Sequence, residues 1–131
     1  MSLAFTHLGT GSRGNATLVE SGEAKVLIDQ GFSGKQIETR LARMEIKPTE
    51  IDAIVLTHHH GDHGGGASIA QKRWNIPIFC NDRTATALNL DLKGVQLFES
   101  LEALNFADDL ALLPVPVPHS GADNVAFIAS H

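Results

Sequence analysis

The sequence predicts a single mixed α/β (α+β) domain over residues 1–131, and three observations carry that expectation. Short apolar runs rich in β-branched residues recur along the chain, and segments with helical apolar spacing lie between them. A dense histidine–aspartate string also follows directly on one of the apolar runs. With 43% hydrophobic residues in 131, the chain has the composition and length for one core.

Taken in order, residues 3–8 read as a strand, followed by Gly9-Thr10-Gly11-Ser12-Arg13-Gly14. That string matches G-x-G-x-x-G, but a dinucleotide site needs a helix after the glycines. Here residues 15–20 read as a second strand, and Ser21-Gly22-Glu23 turns it into a third over 25–29. The glycine loop therefore joins two strands, and no cofactor binding is expected from it. Ser33 and Gln36 have the spacing of a capping box, and Ile37, Leu41 and Met44 form an apolar stripe, so a helix is expected over 34–44. Lys47-Pro48-Thr49 breaks it and leads into a strand within 51–56.

That strand delivers Thr57-His58-His59-His60-Gly61-Asp62-His63-Gly64. Neutral imidazoles and carboxylates are ligands for zinc-type metals, and a loop at a strand end is rigidly held yet open to water. His58 and His60, two apart in an extended segment, face one side and can grip one ion. Asp62 and His63 lie beyond Gly61, where the backbone can turn towards a second ion. A surface histidine cluster without function is the alternative.

The string resembles the signature of the metallo-β-lactamase superfamily, binuclear metal hydrolases with an αββα sandwich. By that resemblance His58 and His60 would bind one metal, and Asp62 and His63 the other. Asp62 would also act catalytically by orienting the attacking water, and His59 falls on a variable position. Two divalent ions are implied, zinc first and manganese as the alternative. A glutamate usually replaces His60 in the di-iron branch, so the likeness is to the zinc-type hydrolases. The run from Leu8 to Thr17 is similar to the opening of the YycJ/WalJ-like branch, described as exonuclease- or phosphodiesterase-like, and Ile28-Asp29-Gln30-Gly31 extends the likeness. In the superfamily the aspartate at Asp29 supports the metal loop by hydrogen bonds; an acid that merely opens a turn is the other reading.

Further along, a helix is expected near 65–74 carrying Ile69 and Trp74, then a strand over 76–80, a short helix over 82–89 and a strand over 95–99. Lys72, Arg73, Arg83 and Lys93 are scattered charges of a solvated surface. In Leu112-Leu113-Pro114-Val115-Pro116-Val117-Pro118-His119-Ser120 the alternate prolines remove backbone donors from one side, so this strand should pair on its other side or lie at an edge. The superfamily has a metal-binding histidine after a strand here, and His119 resembles it, with an unrelated surface histidine as the alternative. Ser120 departs from the aspartate usual in the YycJ-like branch. A last strand is expected over 124–129.

Superfamily members run to about twice this length and supply a bridging aspartate and one more histidine, neither of which is matched here. The resemblance thus implies the N-terminal half of the sandwich. A half-sandwich should leave one sheet face bare, so self-association or pairing with a missing half is expected. The net charge of −5 gives no overall basic footprint, so a nucleic-acid substrate would need a local patch. The single cysteine, Cys80, excludes an internal disulfide, suits a reducing compartment and reads as a buried small residue. With no signal-peptide or membrane-spanning run, a cytoplasmic location is the default.

Two function classes follow. One is a hydrolase using a metal-activated water, with phosphodiesters, including nucleic acid, favoured by the resemblance and thioesters, lactones or β-lactams left open. The other is a metal-binding module without turnover.

Overall fold

The computed structural model describes residues 3–58, 61–106, 110–117 and 125–130, with the Asp62 side chain excluded. The chain builds a six-stranded sheet in the order β1-β2-β3-β4-β5-β6 and a three-stranded sheet in the order β7-β8-β9. The strands of the first are β1 (Leu3–Gly9), β2 (Ala16–Ser21), β3 (Ala24–Ile28), β4 (Ala53–Val55), β5 (Ile78–Cys80) and β6 (Val95–Leu97). Those of the second are β7 (Leu104–Phe106), β8 (Leu110–Pro116) and β9 (Val125–Ser130). Helices α1 (Gly34–Ala42), α2 (Gly61–Gly64), α3 (Ala67–Trp74) and α4 (Asp82–Ala87) occupy the connections. β1 to β3 form an antiparallel meander, and β3 to β6 are parallel, each pair joined through helix-bearing segments as parallel pairing requires.

The parallel strands are apolar on both faces because both faces are covered. Leu18, Leu27, Ile54, Leu56 and Ile78 turn one way and pack with Ile37 and Leu41 of α1 and Ala67 and Ala70 of α3. Val19, Val26, Ala53 and Val55 turn the other way and pack against Leu104, Phe106, Leu110 and Leu112 of the small sheet. Each such fully buried Leu, Ile or Val contributes about 1.5–3 kcal/mol of transfer free energy. The small sheet thus folds back over one face of the main sheet. An open apolar face lies on the small sheet, where Ala111, Leu113 and Val115 stand beside Ala126 and Ile128, the last 59% exposed.

Local signals explain most element boundaries. Ser33 caps α1, its Oγ accepting from the Gln36 N–H at 3.2 Å, and the helix stops at Ala42, two residues short of the expected end. The last turn instead hands over to Glu45 in the left-handed region. α3 ends at Trp74 with Asn75 left-handed, but it buries through Ala67 and Ala70 while Ile69 is exposed. The glycine loop carries no helix; it is closed by two hydrogen bonds between Asn15 and the Gly11 backbone, at 3.0 and 2.7 Å. Gly14 of that loop has φ 151°, and a Cβ there would come within 2.6 Å of the Phe32 ring. The prolines divide β8 as their missing donors dictate. The strand pairs with β7 only through Leu112, and with β9 as far as Pro116.

Thr84 of α4 is 1% exposed, and its hydroxyl lacks a hydrogen-bond partner among the described residues. A Thr84→Val substitution keeps the shape and removes the orphaned group, so thermal unfolding should show a gain of about 1 kcal/mol. A loss would show that the hydroxyl is satisfied.

Candidate metal centre

The site lies at the carboxyl ends of the parallel strands, where β3 and β4 release adjacent loops. Asp29 N–H donates to the Val55 carbonyl at 2.8 Å, so β3 and β4 stay in register up to the point where both chains leave the sheet. There Asp29 takes φ 67°, a left-handed conformation that aspartate tolerates better than most residues. This turns its carboxylate, 5% exposed as a residue, across to the loop after β4.

Three hydrogen bonds converge on that carboxylate. Oδ1 accepts from the Thr57 backbone N–H at 2.8 Å, and Oδ2 accepts from the Thr57 hydroxyl at 2.8 Å and from His63 Nδ1 at 2.7 Å. The Thr57 Oγ1 also lies 2.7 Å from His58 Nδ1. A hydroxyl has one proton, and here it is committed to a carboxylate that can only accept. The His58 contact must therefore be Nδ1–H donating to Thr57 Oγ1. Each imidazole thus carries its Nδ1 proton inward, and in the neutral ring that leaves the lone pair on Nε2. The two rings lie 4.1 Å apart, centroid to centroid, tilted by 44°.

The rest of the loop is held by backbone. Gln30 N–H donates to the His63 carbonyl at 2.7 Å, and Gly66 N–H donates to the Gln30 carbonyl at 2.9 Å. The Gln30 side chain, fully buried, closes on Phe32 in both directions, donating to its carbonyl at 2.7 Å and accepting from its N–H at 3.1 Å. On the far side, Val125 N–H at the start of β9 donates to the Thr57 carbonyl at 3.0 Å, tying the small sheet to the loop.

Asp29, His58 and His63 therefore come together, each offering an atom within 4.8 Å of the others. Two imidazoles beside a carboxylate are, in their neutral form, the donor chemistry of a divalent metal. His60, His119 and the side chain of Asp62 lie outside the described residues. The backbone of Asp62 and His63 forms the short helix α2, where the sequence suggested an open turn after Gly61. Thr57 and Gln30 received no role from the sequence. The signal for Thr57 was its place immediately before His58, and for Gln30 its place immediately after Asp29.

Cys80 is buried at the end of β5, on the helix-bearing face. Burial, with the nearby Asp82 charge, pushes its thiol up to about 12, which makes it a packing residue and not a thiolate ligand.

The family model of the metallo-beta-lactamase superfamily matches residues 9–129. This chain belongs to the metallo-beta-lactamase superfamily. It is 32% identical over 111 residues to the exodeoxyribonuclease WalJ of Streptococcus pneumoniae serotype 2, covering 79% of this chain and 41% of that protein. It is 34% identical over 88 residues to the exodeoxyribonuclease YycJ of Bacillus anthracis, covering 67% and 33%. Among solved structures, the Rm3 metallo-beta-lactamase superposes with a TM-score of 0.78 at 21% identity, over 94% of this chain and 52% of its own. The superfamily fold is thus present, and the chain spans less than half the length of these two curated relatives. Membership and the donor cluster together support a divalent metal cofactor. Among the described residues no helix is long and apolar enough to cross a membrane.

Proposed function

We propose that this chain carries the metal-binding part of a metal-dependent phosphodiesterase that acts on nucleic acid. The observation that supports the reading most directly is the hydrogen-bond relay from Asp29 through Thr57 to His58, with its second branch to His63. It orients two imidazoles and sets their tautomers before any ligand arrives, which is the task of residues behind a metal site. Asp29, whose oxygens already accept three hydrogen bonds, is a positioning residue in this reading.

His58 and His60 hold one ion, and Asp62 and His63 a second, with zinc the metal and manganese its substitute. His119 completes the first set. It belongs to the connection between β8 and β9, whose far end at Val125 is bonded to Thr57. Bound there, the metals would supply Lewis acidity, lowering the pKa of water and stabilising charge on an attacked phosphorus. Asp62 would orient the water. The likeness to two exodeoxyribonucleases favours nucleic-acid ends over thioesters, lactones or β-lactams. A single buried thiol suits a reducing, cytoplasmic setting. The exposed face of Leu113, Val115 and Ile128 is the surface that a second copy, or a C-terminal half, would cover.

The other reading is a metal-binding module without turnover, for which the cluster of Asp29, His58 and His63 would serve equally well. Elemental analysis of protein purified without added metal or chelator, alongside hydrolysis of bis(p-nitrophenyl) phosphate, separates the two. About two metal equivalents with turnover, both lost in a His58→Ala variant, is the expected outcome. One equivalent or fewer, with no ester hydrolysed, assigns this chain to the module.

A further inference from the structure

The outward face of α1 carries a cationic groove, and we infer that it binds the sugar–phosphate backbone of a nucleic-acid strand whose end lies at the metal loop. This rests on the nucleic-acid reading of the site and extends it to a surface outside that site. The groove, about 410 Å³, is lined by Lys35, Gln36, Thr39, Arg40 and Arg43, with no acidic residue among them. In a chain of net charge −5 this is a local reversal of sign.

The order of the lining residues follows from helix geometry. Residues 35, 39 and 43 repeat every four positions and so form one stripe, opposite the buried Ile37 and Leu41. Glu38 falls on the other flank, and no ion pair among the described residues involves Lys35, Arg40 or Arg43. Arg40 is held in place, its guanidinium 4.1 Å from the Phe32 ring centroid and donating to the Leu8 carbonyl. Lys35 and Arg43 are exposed.

Direction and chemistry favour a nucleic acid over other anionic partners. The cap of α1, Ser33, comes four residues after Asp29, so the stripe starts at the end of the sheet that holds the metal loop and runs away from it. Lys35 to Arg43 is a rise of about 12 Å, room for a short run of backbone phosphates to lie along the helix. Gln36 and Thr39 add neutral hydrogen-bonding groups, as backbone readers commonly do. A membrane surface would require the apolar face of the helix, and that face is buried in the core.

The test uses the full chain and a fluorescein-labelled single-stranded oligonucleotide, followed by anisotropy across a salt series. Lys35→Gln with Arg43→Gln should weaken binding by about ten- to a hundredfold near 50 mM salt and reduce the slope of log Kd on log salt by about 1.4. Circular dichroism melts should coincide, since both side chains are exposed. Unchanged oligonucleotide affinity and slope would overturn the inference, as would loss of binding to phosphatidylserine vesicles with oligonucleotide binding retained. Hydrolysis of bis(p-nitrophenyl) phosphate, too small to reach α1, is followed in parallel and should not change in the variant. If wild type fails to hydrolyse it while the variant still loses oligonucleotide binding, the hydrolase reading falls and the groove stands.

Discussion

An Asp29→Ala chain is expected to lose both its grip on metal and a large part of its stability. The substitution removes the acceptor for the Thr57 N–H, the Thr57 hydroxyl and His63 Nδ1 in one step. It also leaves alanine at φ 67°, where its Cβ crowds the backbone. Unsatisfied buried groups cost about 1–3 kcal/mol each, and with the backbone penalty the loss should reach about 3–5 kcal/mol. Metal affinity should fall about 10- to 100-fold, as for other residues that orient ligands. Asp29→Asn separates the two effects. Asparagine tolerates the left-handed backbone and keeps one acceptor, so much of the stability should return. Its amide NH₂, however, would face donors, and the Thr57 hydroxyl would have to turn its proton towards His58 Nδ1. That moves the His58 proton to Nε2, so metal binding should remain weak. Thermal melts and zinc titration of the three proteins check this. An alanine variant that binds zinc like wild type would remove Asp29 from the site.

Gly66→Ala should be nearly as damaging, for steric reasons alone. A Cβ at Gly66 would run into the Phe32 carbonyl and the Gln30 amide, the two groups that close the Gln30 clamp. Gly66 also donates to the Gln30 carbonyl, so the backbone cannot retreat without breaking that bond. Because Gln30 in turn holds the His63 carbonyl, the displacement reaches the metal loop within one residue. A loss of about 3 kcal/mol or more is expected, on the scale of overpacking with a broken buried network. A melting temperature within a degree or two of wild type would show that the clamp yields freely. Gly61, by contrast, has open space where a Cβ would stand, so Gly61→Ala is the matched control.

The site was legible where chemistry is written in residue type. The histidine–aspartate string singled out His58 and His63 by residue type, whereas Asp29 was singled out only through the resemblance. What joins them was not legible. The proton of Thr57 that sets the His58 tautomer depends on Asp29, 28 residues away, and no local pattern encodes that approach. The main sheet was readable because its strands are bounded by turns and helix stripes. β7 was missed because Leu104-Asn105-Phe106 is too short to show alternation. α2 was missed because glycines at both its ends read as loop. Which sheet would carry the bare face was not legible for a related reason. Alternation tells which residues of β8 turn inward, but not which surface they meet.

The parallel pairing of β3 with β4 has a consequence for the order of assembly. β1, β2 and β3 are joined by short turns and can zip locally, whereas Val26 meets Ala53 only after the segment carrying α1 has crossed over. Such distant pairings form late, because the entropy of closing the loop comes before any contact is gained. The contacts of Asp29 with Thr57 and His63 span 28 and 34 residues and lie beyond that crossover. The donor cluster therefore does not exist in the nascent meander. It comes into being with the finished sheet, and the rate of metal capture during refolding should follow sheet closure, independent of metal concentration once the ion is in excess.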